Sequence, residues 1–166
     1  MTKISDLLIL GIGNYLMGDE GIGVQTAHAL QKLPIAEKVD VVDGGTGGFH
    51  LLEFFEVHKK VILIDATLDN NEPGTIRLIT PRFAKDFPRA MSTHDIGLRD
   101  MVNALQLMNK MPEIYLFVVS IESIQQQGIL LTPAIEKTIP VLIEKVLELA
   151  NQLQNERICF DRKVLV

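Results

Sequence analysis

Two acids and a histidine carry the clearest chemical potential in this chain. Glu20 stands in the glycine-rich stretch GIGNYLMGDEGIGV (11–24), directly after the apolar run LLIL (7–10). Asp65 stands near the end of the apolar run VILIDA, and His94 lies in STHDIGL, in the first turn of the helix expected to start at Ser92. Taken singly, each has an ordinary explanation. An aspartate ending a strand is as often a turn former, and a histidine in a first helical turn is often a surface residue. Together they offer two carboxylates and one imidazole. That mixed oxygen and nitrogen set suits a borderline divalent ion such as nickel, zinc or cadmium, and it leaves coordination positions open. The positive end of a helix also disfavours imidazolium, which keeps His94 in the form that coordinates a metal.

These residues must be positioned by an alternation of strands and helices. LLILGIG (7–13), VDVVDGG (39–45) and KVILIDA (60–66) are apolar on both alternate faces, as central parallel strands are. IYLFVVSI (114–121) reads as a further buried strand. TIRLIT (75–80) alternates and follows the turn NNEPG, which predicts an edge strand. The first helix is expected over 19–33, with Asp19 as N-cap and Pro34 beyond its end. A second helix follows the capping-box pattern Ser92-x-x-Asp95. The last runs from about Thr132 to Leu153, with a kink expected at Pro140. The predicted fold is α/β: a three-layer α/β/α sandwich around a mostly parallel, twisted five-stranded sheet. Ligands in such sheets bind at the carboxyl ends of the strands, where Glu20 and Asp65 fall.

A glycine loop between a strand and a helix also suggests a dinucleotide site. Gly11 and Gly13 fit the G-x-G-x-x-G fingerprint, but the third position is Leu16 and the turn runs on to Gly18. Asp19 and Glu20 would repel a pyrophosphate. Asp43 comes later than the fingerprint's ribose-binding acid. Helix-capping explains Asp19 well and Glu20 less well, because Gly21 and Gly23 burden the first helical turn by about 1 kcal/mol each. Something is expected to approach this backbone closely.

Composition narrows the function classes. The chain has 166 residues, 47% hydrophobic and 22% charged, which is globular and free of a disorder signature. Sixteen basic against 21 acidic residues give a net charge of −5, and no Lys/Arg cluster stands out. A nucleic-acid partner is therefore not expected. The apolar runs are strand-length, so no membrane span is expected. Lys3 precedes an apolar run, but Asp6 and the glycine loop replace a cleavage region, so no signal peptide is read. The one cysteine, Cys159, allows no internal disulfide and fits a reducing cytoplasm. A single domain over 1–156 and a C-terminal tail over 157–166 are expected. His28, His50 and His58 read as surface or partly packed helix residues, not as ligands.

In order along the chain, GIGNYLMGDEGIGV, DGGTGG (43–48), LIDA (63–66), STHDIGL (92–98) and GILLTPAI (128–135) resemble the hydrogenase maturation endopeptidases. The resemblance implies a phosphorylase/hydrolase-like α/β/α fold. It further implies an endopeptidase, nickel-dependent in its recognition, that removes a C-terminal extension from the large-subunit precursor of nickel–iron hydrogenase. Nickel carried by the precursor would be the recognition mark, and no tightly bound metal would belong to the protease itself, although zinc or cadmium would substitute in vitro. The family's metal-binding residues fall on Glu20, Asp65 and His94, and its DGGT aspartate falls on Asp43. Catalytic roles are accordingly expected for Asp43, Glu20 and Asp65. Gly44, Gly45 and Thr46 are expected to bind substrate through their backbone. For Asp43, an orienting or acid/base role and simple capping of the GGT turn are equally compatible with the sequence. A monomer is expected. The alternative is a non-catalytic metal- or nucleotide-binding α/β module.

Overall fold

The computed structural model describes residues 5–88, 95–123 and 127–163. In chain order its elements are β1 (Leu7–Gly11), α1 (Ile22–Gln31), β2 (Asp40–Asp43), α2 (Leu52–Val57), β3 (Lys60–Thr67), β4 (Ile76–Ile79), α3 (Asp95–Leu107), β5 (Glu113–Ser120), α4 (Pro133–Glu136) and α5 (Thr138–Lys163). The five strands form one sheet in the order β2-β1-β3-β5-β4. Four are parallel, and β4 pairs antiparallel with β5 at the edge. The expected α/β fold with its five-stranded sheet is present, but β2, expected among the central strands, is an edge strand whose residues are only partly buried or exposed, since it pairs with β1 alone.

Period-two alternation sends successive strand side chains to opposite faces. Ile9, Ile62, Ile64 and Val119 pack with Ile22 and Leu30 of α1 and with Leu142, Val146 and Ala150 of α5. Leu8, Leu10, Leu63, Leu116 and Val118 pack on the other face with Phe55 of α2 and Leu98, Met101 and Leu105 of α3. Both faces of the sheet are covered, which is why the central strands are apolar throughout. The chain leaves β1 toward β2 on one side, then crosses to β3 on the other. The carboxyl ends of β1 and β3 are thus a topological switch point, where such sheets open a crevice.

Two helix boundaries differ from expectation. The first helix starts at Ile22, because Gly18–Gly21 winds into a tighter 3-10 turn ahead of it. The C-terminal helix breaks at Lys137, ahead of Pro140, into α4 and α5. Pro140 then falls in the first turn of α5, where its missing N–H costs nothing. The Thr138 hydroxyl spans the break by donating to the Ala134 carbonyl at 3.0 Å. Residues 157–163, the first part of the expected tail, continue α5 as helix.

At the β4 edge, Arg77 donates from Nη2 to Asp69 Oδ2 and fastens the strand to the turn after β3. Burial by itself would raise the Asp69 carboxyl. The Asn71 N–H, which donates to Oδ1, the nearby Ser120 hydroxyl dipole and the Arg77 guanidinium outweigh it and hold the group below the ordinary aspartate value of 3.8. A depressed folded-state value means the anion stabilises the fold above the unfolded value, and this is lost as pH falls through the folded one. Asp69→Asn should therefore melt below the wild type near neutrality and converge with it in acid. Thermal melts between about pH 7 and about pH 2 test this. A deficit of equal size at both ends would contradict it.

Candidate active site

The site is built on a backbone-to-backbone contact between α1 and the sheet. A Cβ added at Gly23 would lie 2.2 Å from the Ile12 carbonyl oxygen and 2.3 Å from that of Ile64. Only glycine lets the helix start sit this close to the ends of β1 and β3. Gly13 makes the companion contact: its φ is +144°, and a Cβ there would meet the Glu20 carbonyl oxygen at 2.0 Å. The space expected to receive an incoming ligand is filled at these two glycines by the chain itself. Gly23 does what the third glycine of a dinucleotide fingerprint does, close packing of helix on strand, in a different register.

This packing seats the Gly18–Gly21 turn against β3 and places Glu20 beside the strand ends. Glu20 is buried, with 2% of its surface exposed. Asp65 is buried too, at 1%, and stands in register with Val118 on the face covered by α2 and α3. Its Oδ1 accepts the Ala66 N–H at 2.7 Å. Ile12 N–H donates to Ile64 O at 2.9 Å, so the loop carrying Glu20 leaves from directly beside Asp65. The structure therefore places two of the three expected ligands, both buried, on neighbouring segments at the carboxyl ends of β1 and β3. The third, His94, and its capping residue Ser92 lie outside the described residues. Among the described residues, no group of three or more His, Cys, Asp or Glu side chains is arranged to hold a metal ion.

Asp43 ends β2 in register with Gly11, and it points toward α1, the face opposite to Asp65. Its Oδ2 lies 2.7 Å from Nε2 of His28 on α1, and its Oδ1 accepts the Gly45 N–H at 2.8 Å. Asp43 does cap the turn, and it also has a side-chain partner that the sequence did not suggest. Gly44 N–H donates to Gly11 O at 2.8 Å and Gly13 N–H to Gly45 O at 2.7 Å, tying this loop to β1. Gly44 is buried, while Thr46 is exposed at the loop tip. Gly45 has open space around its Cβ position but a φ of +55°, so its requirement is conformational.

Asp19 is not a helix cap. It is 2% exposed and accepts from Thr132 N–H at 2.7 Å and from the Thr132 hydroxyl at 2.8 Å. It locks the turn before α1 to the segment that opens α4. Gly18 N–H donates to Gly128 O and Gly128 N–H to Leu16 O, both at 2.7 Å, which extends the same clasp. Neighbouring Asp19 and Glu20 thus differ: one ties the turn to Thr132, and the other is buried within the turn.

The hydrogenase maturation protease model of the HycI type matches residues 24–149, most of the chain. The chain belongs to the hydrogenase maturation protease family. It is 34% identical over 144 residues to the hydrogenase 2 maturation protease of Escherichia coli K12, covering 85% of this chain and 88% of that one. It is also 34% identical to the hydrogenase expression/formation protein HupD of Rhizobium leguminosarum, over 83% of this chain and 70% of the relative. The solved structure of the hydrogenase maturating endopeptidase HybD from E. coli superposes with a TM-score of 0.79 at 34% identity, over 88% of this chain and 92% of that one.

Within this family fold, sequence reasoning missed His28. Its ordinary place in the middle of an amphipathic helix gave no signal. The one available clue was that α1 and β2 belong to the same β-α-β unit, which sets the helix across the end of β2. His58 was likewise read as surface or partly packed. It is buried just past α2, with Phe54 O at 2.6 Å from one ring nitrogen and Asp40 Oδ2 at 2.8 Å from the other, far from the strand carboxyl ends.

The clasp predicts a stability phenotype for Asp19. Asp19→Ala removes two hydrogen bonds to a buried carboxylate, a loss of about 2–3 kcal/mol, or roughly 5–10 °C in melting temperature for a chain of this size. Asp19→Asn keeps one acceptor oxygen and should lose about half as much. Thermal melts of both variants check this, and an unshifted Asp19→Ala would refute the clasp.

Proposed function

We propose that this chain is an endopeptidase that removes a C-terminal extension from the large-subunit precursor of a nickel–iron hydrogenase after nickel insertion. The observation that carries the reading is the burial of two carboxylates, Glu20 and Asp65, at adjoining strand ends at the switch point. Both acids lie where an α/β sheet binds its ligand. In this reading Glu20, Asp65 and His94 recognise the nickel carried by the precursor. The donor set, two carboxylates and an imidazole, fits such an ion and leaves positions for ligands already on it.

Recognition of the ion brings the adjacent peptide bond to the same crevice. Hydrolysis needs a polarised carbonyl and an activated water. A carboxylate of the pair Glu20 and Asp65 accepts the proton of that water, the ordinary task of a positioned general base. Asp43 serves as an orienting residue at the neighbouring strand end, since both its oxygens are already engaged by His28 and Gly45. The loop backbone of Gly44, Gly45 and Thr46 receives the extended tail of the substrate. A protein partner is favoured by the large apolar side chains exposed on the two loops around this edge: Leu16 at 59%, Ile129 at 49% and Leu130 at 82%. The enzyme works as a monomer in the cytoplasm on a partner protein, without nucleic acid or membrane. No helix among the described residues is long and apolar enough to cross a membrane.

Glu20→Gln, Asp65→Asn and His94→Ala should each slow cleavage of nickel-loaded precursor at least about a hundredfold. Because Glu20 and Asp65 are buried, the isosteric amides are chosen so that no cavity opens, and melting temperatures should move by only a few degrees. Gel-shift processing paired with melts of each variant decides. Near-normal cleavage by Glu20→Gln or Asp65→Asn would refute the assignment, and a collapsed melting temperature would make the acids structural.

The recognition reading makes a second prediction for the protease alone. Added Zn²⁺, Cd²⁺ or Ni²⁺ should raise the melting temperature of the wild type by mass action, and Glu20→Gln should abolish most of that shift. Differential scanning fluorimetry with each ion is the measurement. A stoichiometric metal surviving purification with chelator would overturn the view that nickel belongs to the substrate.

A further inference from the structure

The pair formed by His28 and Asp43 is built into the loop that follows β2. His28 Nε2 lies 2.7 Å from Asp43 Oδ2, and the same carboxylate receives the Gly45 N–H at 2.8 Å on its other oxygen. Gly45 O in turn accepts the Gly13 N–H at 2.7 Å. The contacts form one chain from α1 through the loop to the glycine stretch after β1. The Tyr15 ring steadies the histidine from that stretch, with centroids 5.6 Å apart and planes tilted by 56°. His50 also reaches the loop, its Nε2 lying 3.3 Å from Gly44 O.

The pair is exposed enough to be a poor source of stability: the side chains of His28 and Asp43 are 41% and 35% exposed. What it offers is order. DGGTGG holds four glycines in six residues, and Gly45, Gly47 and Gly48 all have positive φ, at +55°, +80° and +107°. Such a segment loses more conformational entropy on ordering than any other composition. A rigid helix holding one end of the loop through a charged hydrogen bond reduces the number of shapes it samples. Preorganising a binding loop lowers the cost of binding.

We infer that His28 is a positioning residue for substrate: it fixes the Asp43 carboxylate, and through it the amides of the 43–48 loop, in the shape that receives the precursor's tail. This rests on the reading of that loop as substrate-facing. The step is tested by kinetics of precursor cleavage and by amide exchange in the protease alone. His28→Ala should fold normally and raise KM for the precursor about tenfold, the worth of one hydrogen bond to a charged group, while changing kcat less. His28→Gln, whose amide can donate to the same oxygen, should recover part of the loss. The double variant His28→Ala/Asp43→Asn should be no worse in KM than Asp43→Asn alone, because the histidine acts through the aspartate. In the protease without substrate, the Gly45 amide should exchange faster in His28→Ala than in the wild type. An unchanged KM in an active enzyme, losses that multiply in the double variant, or unchanged Gly45 exchange would each overturn the inference. If the wild type cleaves no nickel-loaded precursor, the proposed function fails, and the Gly45 exchange alone then decides whether His28 orders the loop.

Discussion

The site depends on how closely α1 can approach the sheet. At Gly23 a Cβ would lie only 2.2–2.3 Å from the carbonyl oxygens of Ile12 and Ile64. Any side chain at that position would push the helix outward. The Gly18–Gly21 turn would move with it, and Glu20 would leave the neighbourhood of Asp65. Gly11 supports the same contact from the strand side, since a Cβ there would meet Gly23 O at 2.1 Å. Sequence that reads as a nucleotide cradle is here a packing device, and the acids beside it are what the packing delivers.

Delivering them has a physical cost. A carboxylate taken out of water loses hydration that the protein interior does not replace by itself. Among the described residues three acids are buried, Asp19, Glu20 and Asp65, and a rigid frame surrounds them. Thr132 and Asp19 lock the turn from one side. The paired backbones of Leu16, Gly18 and Gly128 lock it from another. The core on both faces of the sheet is closely packed and mostly apolar, so the strand ends have little freedom to relax around the acids. A frame of this kind suits a site that must hold its donors in place before a partner protein arrives.

The sheet also divides the labour between its two faces. Asp65 belongs to the side covered by α2 and α3, while Asp43 turns toward α1 and His28. One strand, β1, lies between theirs, so they are two strand spacings apart, a lateral distance on the order of 10 Å. One acid therefore lies at the switch point between β1 and β3, and the other is tied to the glycine loop at the β2 edge. A long substrate segment lying along the carboxyl edge could meet both, whereas a single small ligand could not.

The apolar runs, their lengths and their spacing were enough to determine the five strands, the edge position of β4 and the layered architecture, but not that β2, read as a central strand, lies at the other edge, because an apolar run reports burial and not which strand is its neighbour. The order of motifs determined the family, and the strand-end rule located Glu20, Asp65 and Asp43 at one edge of the sheet. Local chemistry could not determine what Asp19 does. A helix cap and a long-range partner such as Thr132 call for the same residue type, and 113 positions of sequence separate the two. Nor could it find His28, whose role comes from a helix crossing the end of another strand. The face each acid serves, the reason for Gly23 and the break before Pro140 were likewise decided only by tertiary structure. Each depends on distances between segments that are remote in the chain, and hydrophobic periodicity carries no record of those distances.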